Sequence, residues 1–304
     1  MKYKLIIVRY GEIALKSKET RKRFESTLVN NIKNALKKKQ IPNDIKKERG
    51  RIYVYTEKTK EAINVLQKIF GIHSISPAIK TQSNISAISE LALQISKEYL
   101  TKEKSFAVRV TRTGKHDFTS QDVAIKTGSD IVKATKASVN LTKPDFKIFI
   151  EIRDRNAFVF TEKIRGTGGL PIGTQGRVLC VVETPRSILA SWYLMRRGCN
   201  TIFITTKRTT SKLLDSFISK WYINTEIISV KEADENLYKK LNKIALEKKC
   251  DAIVSDITLY GTKSNYLRKI KFLKQHLKIP VLYPLIAMDK KTIDKRMLGI
   301  GLKT

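Results

Sequence analysis

The chain has 304 residues, enough for two or three domains with sizeable cores, and its 41% apolar content is that of a globular protein. Sixty Lys and Arg residues against 28 Asp and Glu give a formal net charge of +32, which favours a polyanionic partner, above all nucleic acid. A Lys-rich thermophile surface is the alternative, but Lys enrichment of that kind is accompanied by Glu. No apolar stretch of transmembrane length and no signal peptide is found, so we expect no membrane partner and a cytoplasmic location.

The first eighty residues alternate between strand and helix patterns. We predict strands over 4–9, 51–55 and 72–79, a helix from Ser17 or Thr20 to about Lys39, and a helix over 60–70. This order suggests a ferredoxin-like domain in which one strand of the full motif is not located. Lys16, Arg21 and Arg23 cluster at the start of the long helix, where positive charge opposes the helix dipole. A bound phosphate would relieve that cost.

A second set of elements extends to residue 164. We predict helices over 85–100 and 120–136, the latter capped by Ser120, a strand over 105–113, and a hairpin of 146–152 with 157–164. Arg109, Arg112, Lys115 and Lys126 form a candidate basic surface in this region. Scattered exposed charge is the alternative for any one of them.

A glycine-rich stretch, 166–176, then leads into strands that alternate with helices up to the C-terminus. Continuous apolar strands of this kind predict a parallel sheet covered on both faces, with ligands beyond the carboxyl ends of the strands. The segments 183–187, 207–211 and 256–263 are therefore expected around one crevice. The three cysteines, Cys180, Cys199 and Cys250, form no C-x-x-C pair, so no metal site is predicted.

Five stretches carry a resemblance to one family. They are 10–21 (YGEIALKSKETR), 106–112, 160–164 (FTEKI), 168–176 (GGLPIGTQG) and 280–290. The chain resembles the tRNA 4-thiouridine synthases, or tRNA sulfurtransferases, over essentially its whole length. The resemblance implies an α/β protein with an α+β N-terminal half. Its expected parts are a ferredoxin-like domain (1–80), a tRNA-binding THUMP domain (81–165), a Gly-rich junction (166–177) and a doubly wound, Rossmann-like PP-loop domain (178–304).

The chain departs from this family in its expected nucleotide loop. The resemblance implies a Ser-Gly-Gly-x-Asp-Ser loop for ATP, but the sequence has Glu183, Thr184, Pro185, Arg186 and Ser187, one residue shorter and without glycine. Pro185 has no N–H to donate to a phosphate. The negative charge of Glu183 would repel a phosphate, at a cost of roughly 4 kcal/mol for two like charges 4 Å apart. Thr184 as N-cap and Pro185 as first helical residue make an ordinary helix start. The family's sulfur-carrying cysteine is also missing from 230–236.

The leading hypothesis is therefore a tRNA-binding protein whose PP-loop is degenerate and which uses no cofactor. It would present tRNA to a tRNA-modifying enzyme or act as an accessory factor in tRNA modification. The first alternative is an active tRNA sulfurtransferase that makes 4-thiouridine with ATP, an altered loop and an external sulfur source. The second is a general polyanion binder. No catalytic residue is assigned. The candidate RNA-binding residues are Lys16, Arg21, Arg23, Arg109, Arg112, Lys115 and Arg165.

Overall fold

The computed structural model describes residues 3–48, 50–206, 208–230, 236–260 and 263–303. Contacts divide the chain into two compact units. The first is drawn from Met1–Arg9, Lys39–Gln67 and Ser74–Arg165, and the second from Tyr10–Lys38, Lys68–His73 and Gly166–Thr304. The long helix α1 (Lys18–Lys38) therefore belongs to the second unit, so the segment 1–80 is shared between the two.

The first unit contains one mixed sheet, whose described strands are β1 (Leu5–Arg9), β2 (Asp44–Glu48), β3 (Arg51–Tyr55), β4 (Ser74–Gln82), β5 (Ser105–Thr113), β6 (Ser138–Val139), β7 (Phe146–Arg153), β8 (Asn156–Phe160) and β9 (Ile164–Arg165). Their order is β2-β3-β1-β4-β8-β7-β5-β6, and β9 also pairs with β4. The long strand β4 joins the two halves of the sheet, because Ser74–Ala78 pair with β1 and Ile79–Gln82 pair with β8.

The strand that the sequence pattern did not locate is β2, with the sequence DIKKE. Four of its five residues are exposed, so it lacks the apolar alternation that signals a strand. It lies at the edge of the sheet, where charged side chains discourage pairing with another chain.

The described helices of the first unit are α2 (Thr59–Leu66), α3 (Ile85–Ser96) and α4 (Ser120–Thr135). The prediction that Ser120 caps α4 is wrong by one residue. Thr119 is the N-cap, since its hydroxyl accepts from the Asp122 amide at 3.2 Å while the Asp122 carboxylate accepts from the Thr119 amide at 2.8 Å. This reciprocal pair is a capping box, which satisfies two amides at the helix start.

A buried carboxylate joins three arginines of the first unit. Glu151 on β7 lies 3.0 Å from Arg9, 2.6 Å from Arg51 and 3.4 Å from Arg153. Burial alone would raise the pKa of Glu151, but the charges of Arg51 and Arg9 hold it below its ordinary value. The cluster therefore ties β1, β3 and β7 together through charge.

The second unit contains a parallel sheet with strands β10 (Arg177–Val182), β11 (Asn200–Thr205), β12 (Ile227–Ser229), β13 (Ala252–Val254) and β14 (Val281–Leu282) in the order β12-β11-β10-β13-β14. Its helices, besides α1, are α5 (Pro185–Arg196), α6 (Arg208–Lys220), α7 (Leu237–Glu247), α8 (Lys263–His276) and α9 (Lys290–Ile300). Apolar side chains of α5, α6 and α9 cover one face of the sheet and those of α7 and α8 cover the other. The predicted doubly wound parallel sheet is confirmed. Among the described residues, no helix has the length and apolarity that a membrane span requires.

Candidate functional site

The central strand of the parallel sheet, β10, pairs with β13, although the two strands are far apart in sequence. The chain order reverses between them, and such a switch point opens a crevice at the carboxyl ends of the strands. Residues 183–187 follow β10 and residues 255–260 follow β13, so both segments border this crevice. Some predicted positions lie outside the described residues. They are residues 207 and 261–262 of the predicted crevice, and residues 231–235 of the segment in which the family's sulfur-carrying cysteine was expected.

The turn after β10 satisfies its own backbone amides. Ser187, which is buried in the first turn of α5, has its hydroxyl oxygen 3.4 Å from the Glu183 amide and 3.3 Å from the Thr184 amide. Pro185 is the first residue of α5 and Thr184 precedes it in extended conformation, as the sequence predicts. Two N–H groups of the turn are thus directed at a side chain of the turn itself.

A carboxylate from the neighbouring strand end completes this arrangement. Asp256 Oδ2 accepts from the Thr184 hydroxyl at 2.8 Å and from the Ser187 hydroxyl at 3.1 Å, and it lies 3.5 Å from Arg186 Nε. Arg186 also donates to the Tyr260 hydroxyl at 2.7 Å. Burial would lower the pKa of Arg186, but Asp256 and Tyr260 raise it above its ordinary value. The sequence did not single out Asp256, although its position directly after a short apolar strand was a usable signal.

A cavity of about 550 Å³ extends from this turn between α7 and α8. Leu237, Leu241 and Phe272 contribute apolar walls, and Glu183, Ser187, Asp256, Arg268 and Lys269 contribute polar groups. Its size suits a small organic ligand. Both carboxylates of the crevice, from Glu183 and Asp256, line the end of the cavity nearest to the turn.

None of the three cysteines is held as a reactive thiolate. Complete burial raises the pKa of Cys180 to about 12. Burial, assisted by Asp251, also raises the pKa of Cys199, and burial raises that of Cys250. A thiol must ionise to act as a nucleophile, so these environments disfavour sulfur chemistry at neutral pH. The described residues contain no group of three or more His, Cys, Asp or Glu side chains that could hold a metal ion.

The predicted basic residues of the long helix occupy its N-terminal end. Lys16 is exposed just before α1, Arg23 is exposed in its second turn, and Arg21 is half-buried between them. The guanidinium carbon of Arg23 lies 5.2 Å from the centre of the Phe24 ring. These residues lie together in the second unit, at a helix end that favours anions.

The predicted basic residues of β5 do not share one surface. Arg109 lies on the exposed face of the strand and donates to the Leu141 carbonyl, whereas Arg112, three positions later, lies on the opposite face. Lys126, which was expected on the same surface, forms an ion pair of 2.7 Å with Asp130. Arg165 is exposed on β9, where it pairs with Ser74.

The turn that follows β5 contains a histidine that the sequence did not single out. His116 lies 3.4 Å from Arg112 and 2.7 Å from the Asp154 carbonyl, and with the exposed Lys115 it lines a cavity on the first unit. Gly114 is required here because its φ is +106° and an added Cβ would lie 2.6 Å from the Asp154 carboxylate.

Three family models match the chain. The ThiI ferredoxin-like domain matches residues 5–76, the THUMP domain matches 82–162, and the thiamine biosynthesis protein (ThiI) model matches 224–302. The turn at 183–187 lies outside these ranges. A "probable tRNA sulfurtransferase" from Methanobrevibacter smithii is 33% identical over 99% of this chain and 87% of the relative.

The chain belongs to the tRNA sulfurtransferase family. Another relative with that name, from Methanocaldococcus jannaschii, is 34% identical over 97% of this chain and 87% of its own length.

Two solved structures share the fold of this tRNA sulfurtransferase family member. PH1313 from Pyrococcus horikoshii has a TM-score of 0.85 at 31% identity, covering 98% of this chain and all of that one. A 4-thiouridine synthetase–RNA complex with bound ATP has a TM-score of 0.83 at 24% identity, covering 98% of this chain and 85% of that one. The ferredoxin-like and THUMP domains expected from the sequence are confirmed.

Proposed function

We propose that this member of the tRNA sulfurtransferase family binds tRNA but does not activate it with ATP by itself. It would present tRNA to a modifying enzyme or serve as an accessory factor in tRNA modification. The observation that carries the proposal is the carboxylate of Asp256, which accepts hydrogen bonds from the Thr184 and Ser187 hydroxyls and lies 3.5 Å from Arg186 Nε, so a carboxylate faces the groups that could otherwise hold a phosphate.

The groups of the turn fit a triphosphate poorly. A phosphate loop uses free backbone N–H groups, but two amides here are directed at Ser187 and Pro185 has none. A phosphate in the crevice would also face Asp256 and Glu183. Each carboxylate at 4 Å from a phosphate costs on the order of 4 kcal/mol at an effective dielectric of 20, against which Arg186 and the cavity-lining Arg268 and Lys269 would act.

One further observation supports the absence of sulfur transfer. The described cysteines are Cys180, Cys199 and Cys250, and burial disfavours the thiolate form of each.

The RNA-binding half carries the opposite features. Its THUMP match is continuous over residues 82–162, and the net charge of the whole chain, +32, suits a polyanion. Lys16, Arg21 and Arg23 in the second unit, and Arg109, Arg112, Lys115 and Arg165 in the first, are the residues that we propose bind RNA phosphates. Such binding weakens steeply as salt rises, because each neutralised phosphate releases counterions.

An active tRNA sulfurtransferase is the second candidate function. The names of the relatives favour it, and so does the ATP that is bound in the matched RNA complex. In this case Arg186 and Ser187 would hold phosphate after Asp256 moves away, and an external sulfide or persulfide would replace the missing cysteine.

Thermal denaturation with and without ATP and Mg²⁺ separates the two functions. A ligand at 100 times its Kd raises the free energy of unfolding by about 2.7 kcal/mol, which corresponds to roughly 5–10 °C in the melting temperature of a domain of this size. We expect tRNA to raise the melting temperature and 1 mM ATP to cause no rise that depends on Arg186. An ATP-dependent rise that disappears in Arg186→Ala, but persists in the exposed control Arg296→Ala, would contradict the proposal.

A further inference from the structure

A second cavity of the parallel-sheet unit lies at the opposite edge of the sheet from the crevice, near the amino ends of β11 and β12. Its volume is about 290 Å³. One wall is α1 and the other consists of Gly173, Asn200 and the segment 221–224. All of these residues belong to the second unit.

Five of the thirteen described lining residues are asparagines, and none of the thirteen carries a charge. Asn30, Asn31 and Asn34 come from α1, and Asn200 and Asn224 come from the opposite wall. Asn31 is used internally, since it donates to the Ile172 carbonyl at 3.0 Å. The other four therefore offer both hydrogen-bond donors and acceptors to whatever enters the cavity.

Packing does not explain two of the asparagines of α1. Asn is a poor residue for a helix interior, because its side chain competes for backbone hydrogen bonds. Asn30 and Asn34 are exposed on the side of α1 away from the buried Leu28, Ile32 and Leu36. A ligand that uses the amides of Asn30 and Asn34 would supply a reason for them.

The aromatic part of the lining is held in place. Trp221 donates from Nε1 to the Ile300 carbonyl at 3.1 Å, and its ring centre lies 5.5 Å from that of Phe70. The next residue, Tyr222, has a left-handed φ of +54° just after α6, and the Ile223 amide donates to the Ile218 carbonyl at 3.1 Å. This is the geometry of a helix C-terminus, so the end of α6 sets the backbone that carries Trp221 and Tyr222.

Neutral amides, flat aromatic rings and a small volume together define the ligand class. We propose that this cavity binds an adenine base. Asn amides pair with adenine through its amino group and N7, and aromatic side chains stack on unpaired bases in RNA recognition.

Lys68, whose Nζ lies 5.8 Å from the centre of the Tyr222 ring, provides a cation at the rim for the attached phosphate. An unpaired nucleotide of RNA is the favoured source. The assignment of the base to RNA rests on the RNA binding in the proposed function. The proposal that the cavity binds an adenine base does not rest on it.

Calorimetric titration of the whole protein with adenosine tests the site. We expect saturable binding that weakens at least tenfold in Asn34→Leu. The control is Asn64→Leu, which changes an exposed asparagine of α2 outside the cavity lining and should leave the affinity unchanged. Leu is a better helix former than Asn, so Asn34→Leu should fold, and circular dichroism checks this. Trp221 is one of only two tryptophans, so fluorescence quenching provides a second reading in the same titration. Absence of saturable binding up to 10 mM adenosine, or equal weakening in both variants, would overturn the proposal.

A second arm identifies the source of the base. We expect a single-stranded tetranucleotide that contains adenosine to bind at least tenfold more tightly than AMP. Equal affinity would overturn the assignment to RNA. The ATP melting experiment at the crevice reports on the proposed function independently, because it responds to Arg186 rather than to Asn34.

Discussion

Removal of the Asp256 carboxylate is expected to destabilise the parallel-sheet unit by about 3 kcal/mol. The Asp256 Oδ2 atom accepts from two hydroxyls, at 2.8 and 3.1 Å, and faces Arg186 at 3.5 Å. A hydrogen bond to a charged group contributes about 1.5–3 kcal/mol, but two that share one oxygen are not additive. The ion pair adds about 0–1 kcal/mol, because the Arg186 side chain is 34% exposed and solvent screens it.

Differential scanning calorimetry of Asp256→Ala measures this cost. At about 2–4 °C for each kcal/mol, the melting temperature should fall by roughly 6–12 °C. Asp215→Ala, which removes an exposed carboxylate from α6, is the matched control and should change stability by less than about 0.5 kcal/mol.

The sign of this change distinguishes a structural turn from a nucleotide site. Groups that are held together for catalysis usually cost stability, so their removal is neutral or stabilising. If Asp256→Ala melted at or above the temperature of the wild type, the conclusion that Asp256 structurally closes the turn would be refuted.

Three further predictions concern other parts of the chain. Glu151→Gln should destabilise the first unit by about 3–5 kcal/mol in urea denaturation, since three arginines lose their buried counter-charge, whereas Glu162→Gln on the surface should have little effect. Because the pKa of Glu151 is lowered in the folded state, its contribution is complete above the ordinary value of 4.5 and is lost as the pH falls through the folded value, which an acid titration of stability would detect. Arg21→Gln should weaken tRNA binding and reduce the slope of log K against log salt by about 0.7–0.9, and an equal effect of the α2 control Lys60→Gln would count against a specific contact. Cys180 should stay unlabelled by a thiol reagent at pH 8 until the protein is unfolded, because burial raises its pKa to about 12, and rapid labelling of the native protein would disprove this.

The sequence predicted most elements because their patterns are strong. The continuous apolar stretch at β10 and the alternation in β5 each gave a strand close to its observed bounds, and Thr184 with Pro185 gave the start of α5. The edge strand β2 was missed because four of its five residues are exposed and nothing alternates. The cap of α4 was misplaced by one residue, since Thr119 and Ser120 are both good N-caps and only the Asp122 contacts decide between them.

The sequence was less informative about the site, because a site depends on residues from distant segments. It predicted that Glu183 and Pro185 suit a phosphate poorly, but it could not place Asp256 against Thr184, which is 72 positions away. It placed Arg109 and Arg112 on one surface, although residues three apart on a strand point to opposite faces. The amide-lined cavity also depends on contacts between α1 and residues 173–224, which no local pattern reveals.

The most direct test of the proposed function is a reconstituted reaction with the purified chain, tRNA, ATP, Mg²⁺ and sulfide. Mass spectrometry of the digested tRNA measures 4-thiouridine, and chromatography measures the AMP that would leave when sulfide displaces it from the adenylated uridine. We predict that the chain retains tRNA on a filter at low salt while AMP and 4-thiouridine stay at the level of the protein-free control. Formation of both products in proportion to the amount of chain, with loss of both in Arg186→Ala, would contradict the account and establish an active tRNA sulfurtransferase.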